Sequence, residues 1–139
     1  MKIPELELGM SKSIQKVITR EDTALNFGSG ALDNLLATPT LSALMIEAAV
    51  KLIDPLLPEG YISIGKTIEI EHEHPTIQGM TVTVTAKVME LNENRITLEI
   101  IAYDDLGRIG SGFHERQVVK RDILMDKVEE RFKLIQSRP

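Results

Sequence analysis

The chain has 139 residues, 42% of them hydrophobic and 27% charged, so it fits one globular domain, 1–139, burying roughly two-thirds of its unfolded surface. A formal net charge of -5 argues against a phosphate-tracking surface, and so against nucleic acid as a partner. With no cysteine there are no disulfides, thiolate nucleophiles or Cys-ligated zinc, which leaves an oxygen or a water as any nucleophile.

With no Trp, two Tyr and three Phe, the core must be built from Val, Ile, Leu, Met and Ala. The first residues, Met1-Lys2-Ile3-Pro4-Glu5, lack the apolar run of a signal peptide, and no stretch approaches the roughly 20 apolar residues of a membrane helix. The expectation is a cytoplasmic, soluble chain with no membrane partner.

In chain order, Ser13 to Thr19 mixes apolar and polar positions as a first strand would, and Gly28 and Gly30 then mark a turn. Ala31 to Leu36 reads as a short helical or turn segment. Next comes the one strong helix signal, with Thr38 as N-cap, Pro39 at the first helical position, and apolar residues at Leu41, Leu44, Met45, Ala48 and Leu52. A second apolar set at Ile46, Ala49, Val50 and Ile53 widens the stripe and predicts a mostly buried helix, ended by Pro55 and Pro58.

After Gly60 the pattern changes to period two. Ile62, Ile64, Ile68 and Ile70 are strand positions, interrupted by Gly65, where a bulge or a close ligand approach is predicted. Three further strands follow at Met80 to Leu91, Arg95 to Asp104 and Arg108 to Lys120, joined by turns at Asn92-Glu93-Asn94 and Asp104-Asp105-Leu106-Gly107. Asp122 to Ile135 closes the chain as an amphipathic helix, with Leu124, Val128, Phe132 and Ile135 at helical spacing. The class is α+β: a curved antiparallel sheet wrapped around a long central helix, the hotdog arrangement, with an exposed edge strand whose pairing predicts a homodimer.

Several separated motifs stand between about Leu36 and about Val119: Ala37-Thr38-Pro39 with Leu44-Met45 after it, Gly65 followed by His72, Gly79-Met80 before Thr81-Val82-Thr83-Val84, and Ile109-Gly110-Ser111-Gly112-Phe113-His114-Glu115-Arg116. In this order they resemble one family, the fluoroacetyl-CoA thioesterase-like branch of the hotdog proteins. The resemblance implies hydrolysis of a short or medium acyl-CoA thioester at a dimer interface, with acyl-CoA as the small-molecule ligand and no cofactor. It places a catalytic Thr at Thr38 and a catalytic His at His72, a substrate-contacting Gly at Gly65, and an acyl-CoA-binding Arg at Arg116. The family's helix Glu falls on Ile46, one residue and about 100° of helix short of Glu47, which is the candidate replacement.

Three of these residues also have a plainer reading. Thr38 is what an N-cap looks like, Glu47 is an i,i+4 partner for Lys51, and His72 lies among Glu69, Glu71 and Glu73 as a solvated His would. Alternation puts Ile70, His72 and His74 on one strand face and Glu71 and Glu73 on the other, which leaves no compact metal-ligand set. Two alternatives stay open: a non-catalytic acyl-thioester binding or sensing protein, favoured by Ile46, and an enoyl-thioester hydratase using Glu69 and His74.

Overall fold

Thr38–Ile53 forms the helix α1, and its apolar positions explain why it lies inside: Leu41, Met45, Ala48, Ala49 and Ile53 are fully buried. The computed structural model describes residues 3, 5–28 and 31–138, so Gly30 and the N-terminal Met1, Lys2 and Pro4 lie outside the described residues. Around α1 run β1 (Ser11–Val17), β2 (Tyr61–His72), β3 (Thr81–Asn92), β4 (Arg95–Asp104) and β5 (Gly107–Lys120), followed by the helix α2 (Arg121–Gln136). The five strands make one antiparallel sheet in the order β1-β3-β4-β5-β2. This is the predicted α+β hotdog layering, with α1 in the concave face.

Alternation explains which strand residues reach α1. Val82, Val84, Ala86 and Val88 of β3 and Ile96, Leu98, Ile100 and Ala102 of β4 are buried at every second position, as period-two packing against one helix requires. On β5 the helix-facing positions are Gly110 and Gly112, because α1 comes too close for a side chain. A Cβ on Gly110 would lie 2.6 Å from the Glu71 carbonyl and 3.3 Å from Leu41, and one on Gly112 would lie 2.8 Å from the Glu69 carbonyl and 3.2 Å from Met45.

Three sequence expectations are corrected. The helix N-cap is Ala37, not Thr38, and no side chain caps it, so Thr38 is already the first helical residue and its hydroxyl is free for other work. The predicted bulge at Gly65 is present, between Gly65 and Thr67, but it flips the parity of β2. Ser63 faces inward before the bulge while Ile68 and Ile70 pack on the core after it, so the four isoleucines do not share a face. Ile46 and Val50 are only half-buried on α1, and α2 buries none of its residues.

β1 and β2 are the sheet edges. β2 is the longer, and its Ile68 and Ile70 remain only partly covered. No helix among the described residues is long and apolar enough to cross a membrane.

Candidate active site

The first turn of α1 and the last residue of β2 meet at the mouth of the sheet. Thr38 Oγ1 and His72 Nδ1 share a hydrogen bond of 2.8 Å. His72 is brought there by its pairing with Gly110, whose missing side chain lets Leu41 and the β2 backbone close together beneath it. Ahead of the helix, Ala37 N–H donates to the Asp22 carbonyl at 3.0 Å and Leu36 N–H to the Thr76 carbonyl at 2.8 Å, which fixes how the chain enters α1.

Thr38 is exposed and His72 half-buried behind it. The other ring nitrogen, Nε2, is buried and has no hydrogen-bond partner among the described residues. Burial holds the His72 imidazole below its ordinary pKa, with the His74 backbone opposing in part. The ring is therefore neutral at neutral pH and able to accept a proton at Nδ1. At the N-terminus of α1 the first-turn N–H groups have no intrahelical acceptor, and the helix dipole favours negative charge there.

The pair opens into a cleft of about 440 Å3, walled on its apolar side by Phe27, Leu32, Leu35, Ala37 and Pro39. Glu73 and His74 stand at its rim with His72. Sequence alternation put Glu73 on the opposite face, but β2 ends at His72, and both Glu73 and His74 N–H groups then turn to the single carbonyl of Ile109. The sequence signal that could have found this is Pro75, which stops the strand two residues early. Glu73 is held by Arg108 at 3.3 Å. Among the described residues no group of three or more acidic or His side chains is arranged to hold a metal ion.

The other expected site residues are not gathered here. Glu47 pairs with Lys51 at 2.9 Å and faces a second concavity with Lys12, Gln15 and Lys16 of β1. It is nine residues along α1 from Thr38, about 13 Å at the helical rise, so within one chain it does not touch the Thr38–His72 pair. An exposed i,i+4 pair contributes about 0.3–0.5 kcal/mol. Glu47→Gln is accordingly expected to leave thiol release from an acyl-CoA within twofold of the wild type; a tenfold fall would restore Glu47 to the chemistry.

Gly65 lies at the bulge, seven residues along β2 from His72, roughly 23 Å away at the strand rise. Its neighbours are instead Arg116 and His114. Arg116 is 5% exposed and donates from Nε to Ser63 Oγ and from Nη2 to the Ser63 carbonyl, both at 2.8 Å. Its Nη1 donates to His114 Nε2 at 3.1 Å. Arginine only donates, so His114 carries its proton on Nδ1, which donates to the Thr67 carbonyl at 2.7 Å. Ser63 Oγ in turn donates to Asp54 Oδ1 at 2.5 Å. In the single chain Arg116 thus braces the β2 bulge from inside instead of presenting its guanidinium at the surface. Sequence reading missed this chain of contacts, because the bulge parity that turns Ser63 inward is not written in the residue pattern.

The braced His114 has a pH consequence. Burial holds its imidazole below the ordinary range; the Thr67 carbonyl opposes this, and Arg116 adds to it. His72 is lowered as well, so the unfolded chain takes up these two protons more readily than the folded one. Stability is therefore full above the ordinary imidazole pKa and falls as pH drops through the lower, folded values. Thermal denaturation from about pH 8 to about pH 5 should show a falling Tm, with a shallower slope in His114→Gln. An unchanged slope in that variant would remove His114 from the account.

This fold and this pair can be set beside known proteins. The family model of the fluoroacetyl-CoA-specific thioesterase matches residues 18–122. The chain belongs to that family. The fluoroacetyl-CoA thioesterase of Streptantibioticus cattleyicolor is 35% identical over 97 residues, 70% of each chain. A hot-dog-like protein from Thermanaerovibrio acidaminovorans superposes with a TM-score of 0.89 at 33% identity, covering 95% of this chain and 98% of that one. A variant of the fluoroacetyl-CoA thioesterase, solved in complex with acetyl-CoA, superposes with a TM-score of 0.84 at 27% identity, covering 91% of this chain and 98% of that one. The expected family and hotdog fold are both borne out.

Proposed function

We propose that this protein hydrolyses short or medium acyl-CoA thioesters at the Thr38–His72 pair, as a homodimer paired through β2. The observation that carries the reading is the 2.8 Å hydrogen bond joining an exposed helix-N-terminal hydroxyl to a neutral imidazole at an apolar cleft. Membership of a thioesterase family and the acetyl-CoA complex of a relative support the substrate class.

In this mechanism the Thr38 hydroxyl donates to His72 Nδ1 and attacks the thioester carbonyl carbon as Nδ1 takes its proton. The oxyanion forms next to the first turn of α1, where the helix dipole favours it. Collapse breaks the C–S bond and the imidazolium proton passes to the departing CoA thiolate, leaving an acyl ester on Thr38. A water, deprotonated by the same nitrogen, then releases the carboxylic acid and returns the proton to Thr38. Within the single chain Gly65 and Arg116 lie at the far end of β2, but antiparallel pairing of two β2 edges sets that end of the partner beside the Thr38–His72 cleft, where their substrate-binding role stays part of this reading.

A second reading, a non-catalytic acyl-CoA binding protein, is favoured by two observations. Among the described residues His72 Nε2 is buried with no acceptor, and Ile46 stands where the family's carboxylate is expected. Free-thiol release from a panel of acyl-CoA thioesters, with binding followed in parallel by calorimetry, decides between them. Turnover across the short and medium chains is the expected result, whereas binding without thiol release would make the protein a sensor. Light scattering at micromolar concentration should give twice the chain mass, and a monomer would remove the dimer.

A further inference from the structure

The helix α2 has no part in the chemistry above, and most of it lies beyond the residues matched by the family model, which end at 122. None of its residues is buried, and Phe132 and Ile135 are 56% and 60% exposed. Met125, Val128, Phe132 and Ile135 succeed one another at intervals of three, four and three residues, the spacing of a seam that packs against a partner. A helix this short is marginal alone in water, so its apolar seam calls for a cover.

The topology says where that cover lies. α2 starts at the corner of the sheet where Lys120 pairs with Tyr61, the first residue of β2, and Arg121 N–H donates to the Gly60 carbonyl at 2.9 Å. The Thr38–His72 cleft sits at the opposite end of the same strand. A two-fold that pairs two β2 edges over their length makes them antiparallel, so the Tyr61 end of each lies beside the His72 end of the other. Paired strands are about 5 Å apart, so each α2 leaves the sheet at the mouth of its partner's cleft. The two α2 helices themselves start roughly 36 Å apart at the strand rise, and each is roughly 24 Å long, so neither reaches the start of the other within a dimer. The cleft offers a matching surface, since Phe27 and Leu32 on its apolar wall are 41% and 56% exposed.

We propose that α2 of one protomer closes over the Thr38–His72 cleft of the other, laying Val128 and Phe132 against Phe27 and Leu32, so that the apolar acyl group is enclosed between two chains. The proposal rests on the β2-paired dimer of the preceding reading and is independent of its chemistry. Each acyl site is then complete only in the dimer, and a ligand enters when the partner's helix lifts.

Because the chain has no cysteine, introduced thiols report this contact without background. Leu32→Cys and Phe132→Cys are combined in one chain, treated with oxidant or a short bis-maleimide, and resolved by mass under non-reducing conditions. A covalent dimer from the double variant, and none from either single variant, is the expected result. A cross-link within one chain, a covalent dimer from Phe132→Cys alone, or no cross-link in a protein that scatters as a dimer would each overturn the proposal. A monomer by light scattering would remove the dimer and this lid together, while thiol release by the wild type tests the chemistry separately. As a functional arm, Phe132→Glu should raise KM for a medium-chain acyl-CoA at least fivefold with kcat within twofold and the dimer intact; an unchanged KM counts against the lid.

Discussion

His72→Ala should lower thiol release from acyl-CoA by about 10²–10⁴-fold, the range for loss of a positioned general base, while its far-UV circular dichroism and oligomeric state stay those of the wild type. The fold is not at stake, because His72 is a half-buried strand end whose Nε2 has no partner among the described residues to lose. Thr38→Ala should fall to a similar level, and the double variant little further, since two groups acting as one unit do not give additive losses. Thr38→Ser keeps the hydroxyl that faces Nδ1 and should retain much of the rate. The rate should be lost on the acid side at a pH below the ordinary imidazole range, because burial lowers the His72 pKa and the base works only when neutral. Wild-type turnover in His72→Ala would sink the mechanism and leave acyl-CoA binding as the function.

Gly110→Ala should be the most damaging single-methyl substitution in the sheet. The added Cβ would meet the Glu71 carbonyl at 2.6 Å, and that carbonyl belongs to the β2–β5 pairing, so it cannot rotate away as a side-chain end would. Leu41 at 3.3 Å closes the other direction and the His72 Cα lies 3.6 Å off. Overpacking of this kind costs about 2–3 kcal/mol, which for a chain of this size is roughly a 10 °C fall in Tm. The strain falls on the strand pair that carries His72, so the folded fraction should also lose activity. Gly65→Ala is the matched control: its Cβ would sit 3.4 Å from Arg116 Nη1 and 3.5 Å from His114 Cε1, ordinary contact distances at an exposed position. Scanning calorimetry of both variants checks the contrast. Equal Tm values would show that β2 and β5 can separate at Gly110, against the account of how His72 is held.

The long helix, the β3 and β4 alternation, the hairpin turns and the family motifs were all legible in the residues. Leu41, Leu44, Met45, Ala48 and Leu52 recur at helical spacing, and Val82, Val84, Ala86 and Val88 at strand spacing; such periodicities depend only on backbone geometry. The pairing of Thr38 with His72 was expected from the resemblance, and the geometry agrees with it, although Thr38 is not the N-cap its place before Pro39 suggested.

What only the tertiary structure decided lies wherever a local pattern is interrupted. One extra residue at the Gly65–Thr67 bulge turns Ser63 inward, and only then can Arg116, His114 and Asp54 join through it in one buried chain of hydrogen bonds. The end of β2 at His72 releases Glu73 from strand alternation and brings it to the cleft rim. The apolar spacing of α2 reads the same whether its seam is buried or bare, because periodicity records which residues share a face and not what that face meets. Sequence by itself therefore determined the elements and pointed to Thr38 and His72 as a pair. Burial, bulge parity and the fate of α2 were left to contacts between residues far apart in the chain, whose energies no local pattern contains.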